Sequence, residues 1–372
     1  MTNKYILSFA PWVGTNAENG AMVKPKRDII ASAKELGFKE VLPMEDLHFN
    51  KLNIIRQTQI WRRFKRKFFE QKSKKWAINK NIRTLISFLD SLTFDDVLLV
   101  QYPIYGDHAP EILTLLLKRL PNLNLKQKII IIHDIETLDR SYKIYLTKEE
   151  ESYFIKSFDY VILHNQAMID YFKTTGDTCT YISLDIFDYR LQENKLEYVD
   201  KIPEDLYSVF YAGNLMKSSF LKYVDHIPNF NFHVYGPNYN LKNNPQNLSY
   251  YGELAVDKII TEGSKFAFGL VWDGDSIKDL EGMFGTYMKY NNPYKFSCNI
   301  ASGLPIITSK QAGIATFIEK NNLGILVDSL EDLNNLTITK ESYLTMKSNV
   351  LAMRLRIING DIFKDILSKI LN

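Results

Sequence analysis

At 372 residues the chain exceeds what one hydrophobic core usually holds, and 45% hydrophobic against 24% charged residues supplies apolar material for two. Two cysteines, Cys179 and Cys298, exclude a disulfide framework and fit a reducing compartment, and no run approaches the ~18 apolar residues needed to span a bilayer. A net charge of +3 names no partner by itself.

In chain order, "YILSFAPWV" follows a single lysine and is short, so it reads as a first strand over 4–10 and not as a secretory leader. The loop behind it, "APWVGTNAENGAMVKPKRD", carries Gly14, Asn16, Asn19 and Gly20 ahead of a helix with early cations. Such a loop suits an anion or an ordinary strand–helix connection, and it is not the GxGxxG of a dinucleotide fold. Residues 51–76 carry ten Lys/Arg against one Glu, interleaved with Trp61, Phe64, Phe68, Phe69 and Trp76. A basic helix with an aromatic face can lie on an anionic membrane, or pack its rings inward and solvate its charges; no base-reading module accompanies it, so nucleic acid is not expected.

Further strands are predicted at 96–102, 128–133, 159–164 and 179–184, with helices at 26–36, 51–72, 109–120 and 166–174. Continuous apolar strands alternating with helices indicate a parallel sheet covered on both faces. "LVQYPIYG" ends one strand and offers Gln101, Tyr102 and Tyr105 to an acceptor. "IIHDIETLDR" ends the next, where His133, Asp134 or Glu136 would face a cleft as general base, or serve as a helix cap and a core histidine.

The polar stretch 185–206 contains Pro203 and separates two halves. Strands recur at 207–212, 231–235, 266–271, 304–307 and 323–327, and a helix with a break at Asn359-Gly360 fills 341–371. In "YAGNLMKSSFL" a strand ends at Gly213 and a helix is expected to open with Lys217 in its first turn, an arrangement suited to a diphosphate. In "VWDGDSIKDLEGMFGTYMKYNNPYKF", Pro293 begins a helix that aims Lys295 at the cleft. Tyr287 and Tyr290 are placed to stack on a base, and Asn292 to fix a ribose or amide. Asp273 and Asp275 form a DxD-like pair, but with two lysines available to neutralise charge no metal is expected. No Cys/His spacing reads as zinc, and Cys298 lacks the His/Asn company of a thiol nucleophile.

The segments "IIHDIETL", "LHNQAMIDYF", "FYAGNL", "FGLVWDGDS", "FGTYMKYNNPYKFS" and "ASGLPII", in this order over about 125–330, resemble the bacterial β-1,6-galactofuranosyltransferases of polysaccharide synthesis. They also resemble the related glucosyltransferase that extends GlcNAc on serine-rich adhesins. The resemblance implies the GT-B fold: two Rossmann-like parallel-sheet α/β domains facing a central cleft, with the nucleotide held mainly by the second. Domains are accordingly expected at 1–185 (acceptor) and 186–340 (nucleotide sugar), with a C-terminal helix, 341–372, returning to the first. It further implies a UDP-sugar donor bound by Asn16, Lys217, Tyr251, Lys289, Asn292 and Lys295. Many GT-B enzymes place a ribose-binding Glu three residues after the lysine; here that position is Cys298.

The combined expectation is an inverting UDP-sugar-dependent hexosyltransferase, galactofuranose foremost. Asp134 or Glu136 is its base, Gln101 and Tyr105 are at the acceptor, and neither cofactor nor metal is required. Its setting is cytoplasmic, acting on a saccharide acceptor, lipid-linked if 51–76 meets the inner membrane face; a homo-oligomer is compatible with the sequence. Competing readings are a UDP-glucose-dependent enzyme acting on GlcNAc-modified adhesin, a non-catalytic sugar-binding partner, and a nucleotide-sugar epimerase.

Overall fold

Residues 2–8, 23–41, 78–105, 109–139, 144–191 and 201–372 are described by the computed structural model; Asn16 and the basic segment 51–76 lie outside them. The first half runs β1 (Lys4–Leu7), α1 (Lys24–Glu35), β2 (Lys39–Val41), α2 (78–91), β3 (Val97–Tyr102), α3 (Ala109–Arg119), β4 (Gln127–Ile132), α4 (Glu136–Asp139), α5 (Lys148–Lys156), β5 (Tyr160–Leu163), α6 (Gln166–Phe172) and β6 (Thr180–Ser183). Its strands form one parallel sheet in the order β2-β1-β3-β4-β5-β6. Ile129 to Ile132 of β4 are all fully buried, because helices cover both faces and every residue of a central strand meets one. Thr147 starts α5 through a capping box with Glu150, and the Asn165 side chain caps α6 by accepting from Met168 N.

The second half repeats the plan: β7 (Ser208–Ala212), two 3₁₀ segments (Leu215–Lys217 and Ser219–His226), β8 (Asn231–Tyr235), β9 (Leu248–Tyr250), α7 (Val256–Gly263), β10 (Phe268–Val271), α8 (Gly282–Met288), α9 (Tyr294–Ala301), β11 (Ile306–Ser309), α10 (Ala315–Lys320), β12 (Gly324–Val327), α11 (Lys340–Asn359) and α12 (Asp361–Leu371). The sheet order is β12-β11-β10-β7-β8-β9, again parallel. The short strands β2 and β9 were not legible in the sequence, since three residues cannot display a period and Lys39-Glu40 look like loop. The helix expected after β7 is instead 3₁₀, so Lys217 sits in a single tight turn and not in the first turn of an α-helix.

Gly360, with φ of 75°, ends α11 where the sequence placed a break. The chain then doubles back as α12 against α1. Lys364 pairs with Glu35 at 3.1 Å, Gln127 Nε2 donates to the Ile370 carbonyl, and the Asp188 carboxylate accepts from the backbone of Ile362 and Phe363. The last helix is thereby fastened to the first sheet's unit. No helix among the described residues is long and apolar enough to cross a membrane.

In each sheet the strand order reverses once, between β1 and β3 and between β7 and β10. Ligands of open α/β sheets sit beyond the carboxyl ends of strands at such points. Here both points open onto the same space.

Candidate active site

A cavity of about 480 Å³ lies between the two units. It is lined by loops after β3, β4 and β5 on one side and after β7, β8 and β10 on the other, with the start of α9 closing one end. Gly236 marks how tightly the second unit's loops pack. At φ of 136° its Cα lies where an added Cβ would stand 1.8 Å from the Gly213 carbonyl oxygen.

Lys217 and Lys295 both line this cavity. Lys295 Nζ stands 2.6 Å from Asp273 Oδ1, 3.0 Å from the Tyr211 hydroxyl and 3.3 Å from the Trp272 carbonyl oxygen. Burial lowers its pKa, Asp273 opposes that, and the charge of Lys217 is close enough to lower it further. Lys217 lies 4.8 Å from the centroid of the Phe284 ring, and its carbonyl accepts from Gly274 N, tying the β7 loop to the β10 loop. Two ammonium groups from separate turns thus converge. Of the DxD-like pair, Asp273 is spent on Lys295, and no group of three metal-ligating side chains forms among the described residues.

Across the cavity stands Asp134, at the carboxyl end of β4. Its Oδ1 accepts from the Tyr287 hydroxyl at 3.1 Å and its Oδ2 from the Tyr105 hydroxyl at 3.2 Å. Burial pushes the carboxyl up to about 7, with Asp139 adding to the effect and Lys217 and both phenols opposing it. A carboxyl poised there can change protonation at neutral pH, as proton transfer requires.

Several residues are placed otherwise than the sequence suggested. Glu136 is not among the cavity-lining residues: it is buried in α4, accepts from Tyr102 and from Tyr145 N, and stands beside Glu151. Gln101 is likewise interior, its Oε1 2.8 Å from His133 Nε2 and its Nε2 donating to the Lys26 carbonyl. It supports the site from behind and cannot meet an acceptor. Lys289, at the end of α8, points to Asp279 at 3.8 Å. Tyr251 is 53% exposed and stacks on Tyr235, which does line the cavity, at 4.9 Å between centroids.

Asn292 borders the cavity, but its side chain is fully engaged. Nδ2 donates to the carbonyls of His164 and Asp185, Oδ1 accepts from Asn165, and its backbone N–H donates to His164 Nδ1. With both amide protons and the oxygen committed, it joins the two units and has no donor left for a nucleotide. Tyr287 does not stack on a base: its ring is buried and its hydroxyl reaches Asp134. Tyr290 packs edge-on against Tyr171.

The sequence reading missed Lys26. Its side chain is buried at the cavity wall, donates to the Pro103 carbonyl and lies 4.6 Å from the centroid of the Tyr105 ring. Burial lowers its pKa to about 7 against the opposing pull of Asp134 and Glu136. The signal available was Pro25 in the first turn of α1, which fixes the helix start and so the direction of Lys26. His133 also lines the cavity; burial and nearby Lys26 keep its imidazole neutral.

Comparison with known proteins agrees with this two-unit fold. A family model described as "Glucosyltransferase 3-like, N-terminal domain" matches residues 4–186, and one described as "Glucosyltransferase 3-like, C-terminal domain" matches 209–370. The chain is 32% identical over 253 residues to the β-1,6-galactofuranosyltransferase WbbI of Escherichia coli K12, covering 67% of this chain and 72% of that one. It is 24% identical to glucosyltransferase 3 of Streptococcus gordonii over 91% of this chain and 90% of the other. Among solved structures, trehalose-6-phosphate synthase OtsA superposes with a TM-score of 0.57 at 10% identity, over 99% and 98% of the two chains. The architecture is GT-B, with two parallel-sheet units facing a cleft.

Proposed function

This chain belongs to the glucosyltransferase 3-like family of glycosyltransferases, and on that premise we propose that it transfers a hexosyl group, galactofuranose foremost, from a UDP-sugar to a saccharide acceptor in building a bacterial cell-surface polysaccharide. One observation carries the reading: Lys217 and Lys295 converge on one side of a cavity whose other side presents Asp134.

In the proposed step the acceptor hydroxyl oxygen forms a bond to the anomeric carbon as the bond from that carbon to the UDP oxygen breaks. The electron pair leaves on the β-phosphate and the hydroxyl proton passes to Asp134. Direct displacement inverts the anomeric centre. Lys217 and Lys295 stabilise the charge that grows on the diphosphate, Lys295 turning partly from Asp273 to do so. This cationic pair is the reason to expect turnover without a metal, so activity should persist in EDTA.

Galactofuranose is favoured by the 32% identity to WbbI. A UDP-glucose donor is the second reading, favoured by the fuller coverage of glucosyltransferase 3. The acceptor is proposed to be lipid-linked and the enzyme to work at the cytoplasmic face of the membrane, because the basic-aromatic run 51–76 suits an anionic surface. The test is UDP release across a panel of UDP-sugars. UDP-galactofuranose should give the fastest hydrolysis, a faster UDP-glucose would transfer the assignment to the second reading, and silence from every donor would remove the enzymatic one.

A further inference from the structure

Asp134 belongs to the first unit, yet one of its two phenolic donors comes from the second. Tyr287 lies on α8 and crosses the interface, its hydroxyl 3.1 Å from Asp134 Oδ1. The Tyr287 hydroxyl oxygen in turn accepts the backbone N–H of Ile135 at 3.1 Å. A phenol has one proton and can accept as well as donate. Because Ile135 N–H can only donate, it fixes the phenol as acceptor on that side and directs the single proton at the carboxylate. The helices α4 and α8 pack against each other here, and the ring is buried, so the hydroxyl has little rotational freedom. Tyr105, from the same unit as Asp134, takes the other oxygen. Each carboxylate oxygen keeps capacity to accept from a substrate hydroxyl.

We propose that Tyr287 is a positioning residue for Asp134: it holds the proton-accepting carboxylate from across the interface, so that the base is fully set only while the two units are apposed. This rests on the reading of Asp134 as base given above. The second unit therefore contributes to the reaction twice, through the lysines that receive the leaving group and through a tyrosine that aims the other unit's carboxylate.

The experiment compares the pH dependence of kcat and kcat/KM in the full-length chain with Tyr287→Phe and with 3-fluorotyrosine installed at position 287. A hydrogen bond to the ionised form lowers a carboxyl pKa. Phe removes the donor and should move the acid limb up by roughly one pH unit, with kcat down roughly tenfold and KM for the donor nearly unchanged. The fluorinated phenol is a stronger donor that preserves the packing, and should move the limb down. Opposite shifts are not produced by a side chain that merely fills space. If neither replacement moves the limb, or if the loss appears in KM alone, Tyr287 does not act through Asp134. The underlying reading is tested separately by Asp134→Asn: parental turnover in that variant would overturn both, whereas a severe loss there with unmoved limbs in the position-287 variants would overturn only this inference. In the double variant, Tyr287→Phe should add nothing to the loss from Asp134→Asn; multiplicative losses would count against the proposal.

Discussion

Asn165 Nδ2 donates to Asn292 Oδ1 across 2.6 Å, binding the loop after β5 of one unit to the loop before α9 of the other. The same two side chains engage Tyr290, His164 and Asp185 through backbone carbonyls, so the contact is a knot of buried amides. Replacing Asn292 by Ala removes three side-chain hydrogen bonds, to Asn165, His164 and Asp185, and should lower unfolding stability by about 3 kcal/mol, read from chemical denaturation. UDP affinity measured well below the transition should change little. A variant that denatures like the parent yet loses UDP would make Asn292 a ligand and not a latch.

Lys295 and Asp273 form a second buried pair, and removing one member should hurt more than removing both. Lys295→Ala leaves the Asp273 carboxylate uncompensated, at a cost of about 3 kcal/mol, and should lower turnover roughly a hundredfold. Adding Asp273→Ala should restore much of the stability and none of the rate. The check is a double-mutant cycle on denaturation midpoints beside UDP-release kinetics, and strictly additive midpoints would argue against coupling.

The raised carboxyl at Asp134 sets a pH profile. A base must be ionised, so kcat/KM should climb through about pH 7 and level off above it. Asp134→Asn should abolish that limb and cost 10²–10⁴-fold in rate, on the order expected for a lost general base. The stability sign is opposite. A carboxyl whose folded pKa lies above its unfolded value binds protons preferentially in the fold, so its contribution is full below the unfolded value and is lost progressively between there and about pH 7. The parent should therefore show a fall in melting temperature over that window relative to Asp134→Asn, and identical slopes would refute the assignment.

Lys26 is depressed instead of raised, and its linkage runs the other way. Between about pH 7 and its unfolded value, the unfolded chain binds the proton and the fold does not, so stability from this group rises with pH. Lys26→Met should flatten that rise and stabilise the fold at neutral pH, since the methionine loses no charge to burial. It also removes a cation that acts on Asp134, so the acid limb of activity should shift upward. Thermal melts at pH 7 and 9, read with the kinetic profile, decide it.

The segment 51–76 should bind anionic vesicles and release them in salt, as its charge density requires. Flotation with phosphatidylglycerol-containing vesicles ought to fail when its lysines and arginines are replaced by Gln. Equal flotation of parent and variant would assign the segment to a solvated or packed face.

Much of the scaffold was legible because its signal is local. The run of isoleucines in β4, the Gly360 break and the Pro293 that precedes α9 each act within a few residues, through covering on both faces, a left-handed φ and a fixed φ. Lys217, Lys295 and Asp134 follow from the same logic, since the ends of parallel strands at a reversal of order are where such sheets bind ligands.

What the sequence by itself determined is therefore which residues reach the cleft region: the strand ends, and the loops that leave them. Only the tertiary structure decided which of those polar groups are still available for a substrate. Asn292 finds its partners 107 to 128 residues away, the Glu136 carboxylate finds Tyr102 within its own unit, and Gln101 finds His133 across 32. A buried polar atom takes whatever partner the packing brings to it, because leaving it unpaired costs more than any local preference supplies. Spacing along a chain carries no record of that exchange.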